Sequence, residues 1–274
     1  MPSLLVRLLG GGLLKPKEPR VGADVAGTIE AVGSSVTEFK PGDEVFGVAP
    51  GSFAEYACND ESKFVLKPAN VSFEAAAAVP VAALTALQGL RDKGQIRPGQ
   101  KVLIDGASGG VGTFAVQIAK AYGAEVTAVC STRNQDLARF IGADHVIDYK
   151  REDFTGSHQQ YDLILAVNGH HPIQDYRSAL SPAGICVVAG GPLSQIFQAM
   201  LLGPLVSLLG TKKHVFMGIA ATAKKDLLVL RELLERGKLV PAIDRHYPLH
   251  ETVEAITYLI EEHARGKVVI TVEH

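Results

Sequence analysis

The stretch from Lys101 to Gly112 reads Lys-Val-Leu-Ile-Asp-Gly-Ala-Ser-Gly-Gly-Val-Gly. A short apolar run ends in glycine and opens into an amphipathic segment at 113–122, the order expected of a strand, a tight turn and a helix. Such a turn directs backbone amides and a helix amino terminus at an anion, and a pyrophosphate fits that chemistry. Ala107, Gly109 and Gly112 take the positions of the G-x-G-x-x-G dinucleotide fingerprint, with alanine in place of the first glycine. Ala107 permits the turn, Gly109 lets backbone approach the phosphates, and Gly112 lets helix and strand pack closely. The intervening Ser108, Gly110 and Val111 add their amides to the same loop. An empty structural turn is the competing account, since any sharp strand-to-helix turn favours small residues.

The residues that follow bear on which nucleotide is held. Gly123 suits a helix end, and 125–130 reads as the next strand. An NAD site places an acid about 20 residues after the glycines, on the ribose 2′-hydroxyl. Here Ser131, Thr132 and Arg133 occupy that region, with no acid before Asp136. Hydroxyls and a guanidinium would bind a 2′-phosphate that a carboxylate would repel, so NADPH is expected over NADH. A solvated loop arginine is the alternative for Arg133.

The elements needed to position such a loop are present. A chain of 274 residues can bury a large core and is long enough for two domains. From about residue 83 to 240, strand-like and helix-like segments alternate, as in an α/β doubly wound parallel sheet. Residues 162–167 and 185–189 are compact apolar runs suited to central strands. Residues 223–236 carry Leu227, Leu230, Leu233 and Leu234 on one helical stripe that stops at Gly237. Before residue 83 the pattern changes to short strands at 28–32, 44–48 and 53–57, separated by turn chemistry such as Pro41-Gly42-Asp43. A helix at 251–262 and a strand at 267–272 form a tail that returns to this β-domain.

Composition excludes several classes. Net charge is −2 with dispersed basic residues, which argues against a nucleic-acid partner. Cys58, Cys130 and Cys186 are far apart and odd in number, as expected for reduced thiols in a cytoplasmic protein. Residues 4–9 are interrupted by Arg7 and make a poor signal peptide. Residues 196–209 are apolar but contain Gln198, Gly203, Pro204 and Ser207, and fall short of a span. Membrane contact is at most peripheral.

Longer motifs resemble a known family. Val21-Gly22-Ala23-Asp24-Val25-Ala26-Gly27, Pro41 to Gly47, Gly51-Ser52-Phe53-Ala54-Glu55-Tyr56, Ala83-Leu84-Thr85-Ala86, the Ala-Ser-Gly-Gly-Val-Gly loop and His263 to Val269 follow the order found in zinc-independent medium-chain dehydrogenases/reductases of the quinone oxidoreductase group. The resemblance implies a GroES-like catalytic domain (1–82), a Rossmann NADPH-binding domain (83–240) and a return to the catalytic domain (241–274). It also implies a homodimer that moves hydride from NADPH to a quinone or an α,β-unsaturated carbonyl. The pocket is expected along 200–209, whose apolar character calls for a hydrophobic acceptor.

Zinc-dependent relatives carry Gly-His-Glu where this chain has Gly22-Ala23-Asp24, and often a lobe of four closely spaced cysteines, whereas Cys58 is the one cysteine in the first third of this chain. No metal is therefore expected, and His170-His171 reads as a loop cap. Without a Lewis acid, the feasible chemistry is reduction of an already electrophilic acceptor. By resemblance, Thr85 lies beside the nicotinamide and Tyr149 near the 2′-phosphate. The same resemblance implies that the Phe216-Met217-Gly218 backbone meets the carboxamide and that Lys267 faces phosphate, while Gly190 and Gly191 end a strand at the sheet's carboxyl edge, where their backbone is expected to line the nicotinamide ribose. The plain alternatives are a helix-start threonine, a strand-end tyrosine, core packing at 216–218 and a solvated lysine. Full-length relatives begin with roughly fifty further residues of β-domain, so the GroES-like domain is expected to be incomplete at its amino terminus. An enoyl-thioester reductase and a nucleotide-binding sensor without turnover remain open beside the quinone or enone reductase; Thr211-Lys212-Lys213-His214 is a faint basic patch for the former.

Overall fold

Strand β4 (Lys101–Asp105) lies at the centre of a six-stranded parallel sheet ordered β6-β5-β4-β7-β8-β9. The computed structural model describes residues 20–157, 159–167, 169, 171–191, 221–262 and 264–272, and the backbone of 214–217. The other strands of this sheet are β5 (Glu125–Cys130), β6 (His145–Asp148), β7 (Tyr161–Ala166), β8 (Leu180–Val188) and β9 (His214–Met217). Strand order reverses between β4 and β7, which creates the crevice where open α/β sheets bind ligands.

Alternation along each strand explains the two apolar layers. Val102 and Ile104 of β4 face a core with Phe114, Ile118, Leu84, Leu87, Leu227 and Leu230. Leu103 faces the opposite core, with Ile164, Phe154, Ile173 and Tyr176. Helices therefore cover both faces, as a parallel sheet requires. On the first face lie α2 (Pro80–Gln88), α3 (Gly110–Ala121) and α6 (Lys224–Glu235); on the second lies α5 (Ile173–Ala179). The short α1 (Phe73–Ala77) and α4 (Gln135–Phe140) complete this part of the chain.

A separate antiparallel sheet is built from β1 (Asp24–Thr28), β2 (Glu44–Val48) and β3 (Phe64–Leu66). The strand expected at 28–32 runs instead from Asp24 to Thr28, four residues earlier, because pairing with β2 sets its register. Beyond Thr28 the chain turns: Ile29 N–H donates to Asp43 O and Gly42 N–H to Ile29 O, with Gly42 at φ +90°. The strand expected at 53–57 is irregular. Both edges of β2 are taken by β1 and β3, so this segment finds no ladder among the described residues, and Tyr56 is exposed. The tail forms β10 (Ile243–Pro248), α7 (Thr252–Glu261) and β11 (Lys267–Thr271), with β10 and β11 paired in parallel and β11 packed against α1. No described helix is long and apolar enough to cross a membrane; residues 196–209 lie outside the described ones.

Cys130 ends β5 and Cys186 lies within β8, both buried, while Cys58 is exposed. Burial pushes the Cys186 thiol up to about 12, with the nearby Asp105 charge acting in the same sense. Burial, together with the Asp148 charge, raises Cys130 to about 11. Both thiols are thus protonated and shielded at neutral pH. We expect a thiol-disulfide reagent at pH 8 to label one cysteine in the native protein and all three after denaturation. Fast native labelling of two would contradict the packing described.

Candidate functional site

Between β4 and α3 the chain turns so tightly that side chains are excluded. Gly106 takes φ +89°, and its amide and that of Ala107 donate to Val129 O of β5 at 3.2 and 3.0 Å. A Cβ on Gly112 would collide with Gly106 O and approach the Ala107 backbone to 2.8 Å. Glycine at 112 is therefore a requirement of the turn itself. Gly109 differs: it has ordinary extended angles (φ −83°, ψ 176°), and a Cβ there would meet only Gly106 O, at 3.7 Å. The chain leaves open space in front of Gly109, and a large group can approach its backbone.

Helix α3 starts immediately afterwards, at Gly110, and the amides of Gly110, Val111 and Gly112 have no acceptor among the described residues. Three aligned N–H groups at the positive end of a helix, fronted by open space, fit a pyrophosphate. The residues present thus suit a dinucleotide.

The loop is supported from two sides. Asn134, 6% exposed, donates from Nδ2 to Ser108 Oγ at 2.8 Å and Ser131 Oγ at 3.2 Å, linking the β4–α3 and β5–α4 loops. Its Oδ1 is buried without a partner. On the other side Gly266 N–H donates to Ser108 O at 2.9 Å, and Gly109 and Gly266 form a parallel bridge. The Lys267 ammonium pairs with Asp24 Oδ2 at 3.1 Å, so Lys267 is not a solvated lysine. Asp24 Oδ1 in turn accepts from Val81 N–H at 2.8 Å, in the first turn of α2.

At the end of β5 the residues expected around the ribose are close together. Thr132 donates to Asp148 Oδ2 at 2.6 Å. Gln135 donates to the same oxygen and Lys150 N–H to Oδ1. The Thr132 hydroxyl foremost holds the Asp148 carboxyl below the usual carboxylate range. Exposed Arg133 donates to Glu262 O, just past the carboxyl end of α7, where a helix favours a cation. Tyr149 is exposed at the end of β6, with its amide on Cys130 O.

Gly190 and Gly191 follow β8; a Cβ on Gly190 would collide with Val167 O, and Gly191 has φ +119°. Phe216 and Met217 end β9, whose side chains lie outside the description, as do Gly218, His170, His263 and residues 200–213. Thr85 is half-buried in mid-helix, its hydroxyl donating to Val81 O at 2.7 Å. The helix-start alternative for Thr85 is therefore corrected: Pro80 opens α2, and Asp24 accepts from its first turn. No hydrogen bond joins Thr85 to the glycine loop among the described residues. His171 packs edge-on against Phe154, 4.7 Å between centroids, in the second core layer. No group of three or more His, Cys, Asp or Glu side chains able to hold a metal occurs among the described residues.

The sequence reading gave no role to Asp24, Asn134, Asp148 or Gly266. Asp24 had a visible signal, an acid inside the otherwise apolar run from Val21 to Gly27. The others are recognisable only from their partners in space.

Fold and site together define a nucleotide-binding α/β protein with an accessory antiparallel β unit, the architecture of a dehydrogenase. Residues 6–69 match the family described as alcohol dehydrogenase GroES-like domain, and residues 141–270 match zinc-binding dehydrogenase. The chloroplastic quinone-oxidoreductase QR1 of Triphysaria versicolor is 34% identical over 281 residues, covering 96% of this chain and 84% of its own. A chloroplastic NADPH-dependent alkenal/one oxidoreductase of Arabidopsis thaliana is 33% identical over 264 residues, 91% of this chain and 63% of its own. The solved quinone oxidoreductase from Coxiella burnetii superposes with a TM-score of 0.81 at 31% identity, covering 92% of this chain and 79% of that one. The chain belongs to the medium-chain dehydrogenase/reductase superfamily, in its quinone oxidoreductase-like group. It is an oxidoreductase of the kind that uses a nicotinamide cofactor.

Two glycines of one loop should respond differently to the same change. Gly112→Ala should lower stability by about 1–3 kcal/mol through overpacking, read by urea unfolding. Gly109→Ala should stay within about 0.5 kcal/mol of wild type and yet weaken cofactor binding by about tenfold or more, because the methyl occupies the ligand's approach. Equal stability losses would make Gly109 a structural glycine.

Asp148 yields a pH prediction. Its folded pKa lies below the unfolded value, so its contribution to stability is complete above the unfolded pKa, near 4, and is lost as pH falls through the depressed folded value. Thr132→Val removes the largest cause of the depression. The Asp148 titration should then move up toward the usual range, and the variant's stability deficit should be present at neutral pH and vanish in acid. An unchanged Asp148 titration in a carboxyl-resolved NMR experiment would refute the assignment.

Proposed function

We propose that this protein transfers hydride from NADPH to a quinone or an α,β-unsaturated carbonyl without using a metal. The observation that carries the reading is the β4–α3 turn, with its unpaired amides and the open space at Gly109. Ser108 to Gly112 hold the pyrophosphate, and Lys267 adds a cation beside them. Bound NADPH would supply the hydride.

The preference for NADPH over NADH rests on the end of β5. Asp148 already receives hydrogen bonds from Thr132, Gln135 and Lys150, so its charge is met within the protein. With the Thr132 proton committed there, Arg133 is the side chain that carries the preference. Metal-free chemistry is supported by Ala23, whose methyl group offers no ligand atom where zinc-dependent relatives have histidine. The protein's part in the transfer is then to orient the ring, through Thr85 and the backbone of Gly190, Gly191, Phe216 and Met217, and to keep water out. The homodimer is supported by resemblance alone, and a cytoplasmic location only by the odd number and wide spacing of the cysteines.

Titration of the purified chain with NADPH and NADH tests the reading, followed by acceptor-dependent oxidation with a soluble quinone and with an enone. NADPH should bind about tenfold or more tightly than NADH, Arg133→Ala should remove most of the difference, and a chelator should leave turnover unchanged. Equal affinities would remove the NADPH preference, and loss of turnover on chelation would remove the metal-free mechanism. Binding without oxidation by either acceptor would leave a nucleotide sensor.

A further inference from the structure

Asp24 lies far from the glycine loop in sequence, and the cation beside that loop ends on its carboxylate. We propose that Asp24 is a positioning residue for cofactor binding, which holds the Lys267 ammonium beside the first turn of α3. The proposal rests on the reading that this turn takes a dinucleotide phosphate.

The geometry fixes Lys267 at both ends. Its root is tied to the loop: Gly266 N–H donates to Ser108 O, Gly266 bridges Gly109, and Lys267 N–H donates to Ala242 O at 2.8 Å. The stem crosses the helix start, with Cδ 3.2 Å from where a Cβ on Gly110 would stand. The tip reaches Asp24 Oδ2 at 3.1 Å, and the two side chains keep only 20% and 19% of their exposure. Asp24 is itself held, because its other oxygen accepts from Val81 N–H in the first turn of α2, where the helix favours a carboxylate.

A lysine stem of four carbons is otherwise free to rotate, and a ligand that needs its charge must first order it. Asp24 removes that cost in the empty protein. A carboxylate near a phosphate also repels it, but the lysine charge offsets that of Asp24, and an ammonium has three donors. Asp24 takes one and leaves two for phosphate oxygens. The same carboxylate ties the phosphate side of the site to α2, the helix that carries Thr85.

A double-mutant cycle on the full chain tests this, with the NADPH Kd read by nicotinamide fluorescence and the urea midpoint recorded for each protein. Asp24→Asn keeps an acceptor for Val81 N–H and removes the charge. It should weaken NADPH about three- to tenfold, with kcat at saturating NADPH little changed. Lys267→Gln should weaken NADPH about tenfold or more, and Lys267→Arg should restore most of that loss. The double variant should bind no worse than Lys267→Gln alone, because Asp24 acts through Lys267.

An unchanged Kd in Asp24→Asn overturns the proposal. The same fold-loss from Asp24→Asn in the Lys267→Gln background overturns it as well. So does an unchanged Kd in Lys267→Gln, which leaves no cation to position. If Asp24→Asn does not fold, Asp24→Glu replaces it: a displaced ammonium should weaken binding, and an unaltered Kd overturns the proposal. Failure of the wild-type chain to bind either nucleotide is a separate outcome and overturns the cofactor reading beneath it.

Discussion

The site depends on the absence of a side chain at Gly112. With no Cβ there, the first turn of α3 lies against the Gly106 carbonyl and the Ala107 backbone, which brings the helix start directly over the end of β4. The turn is held down on β5 by two amides on the Val129 carbonyl. The Gly110, Val111 and Gly112 amides are thereby aligned at the crevice where strand order reverses. Recognition built this way uses backbone dipoles that are fixed before a ligand arrives, and it needs no particular side chain in the loop. Ala107 can replace the glycine of the fingerprint because its methyl group points into the core, where it is fully buried.

What could be read from the sequence follows from how local each determinant is. Residues 125–130 are a strand in the structure with the expected bounds, and the runs at 162–167 and 185–189 fall within one residue of β7 and in the latter part of β8. Burial on both faces makes such strands continuously apolar, a signal that needs no partner. The antiparallel unit was harder. Thr28 to Val32 alternates well, yet pairing with β2 selects the weaker run Asp24-Val25-Ala26-Gly27-Thr28, where tertiary pairing outweighs local preference. Phe53 to Ala57 does not extend this sheet, because β1 and β3 already occupy both edges of β2.

The site divides in the same way. Ala107, Gly109 and Gly112 were legible because their spacing is itself the geometry of a turn. Lys267 could be placed only by resemblance, and the residue that holds it is 243 positions away. Asn134 and Gly266 have no local signature, since each matters through the partners it touches, Ser108 and Ser131 for Asn134 and Ser108 and Gly109 for Gly266. Asp148 has no signal of its own in the sequence, because its effect on Thr132 comes from two adjacent parallel strands ending side by side.

These long-range partners change what the local motif can do. Lys267 is paired with Asp24, Arg133 reaches the Glu262 carbonyl, and Asp148 gathers donors from Thr132, Gln135 and Lys150. Each charge is oriented before a nucleotide enters, so the ordering cost of binding is reduced at the expense of some attraction. The arrangement also assigns different roles to neighbours of similar polarity. The Thr132 proton is committed to Asp148, which leaves that hydroxyl only lone pairs to present, an unfavourable face for a phosphate. Arg133, at the carboxyl end of α7, presents a guanidinium to the same region. Which polar groups at the end of β5 donate and which accept is therefore decided by strand and helix ends rather than by the order of residues in the loop.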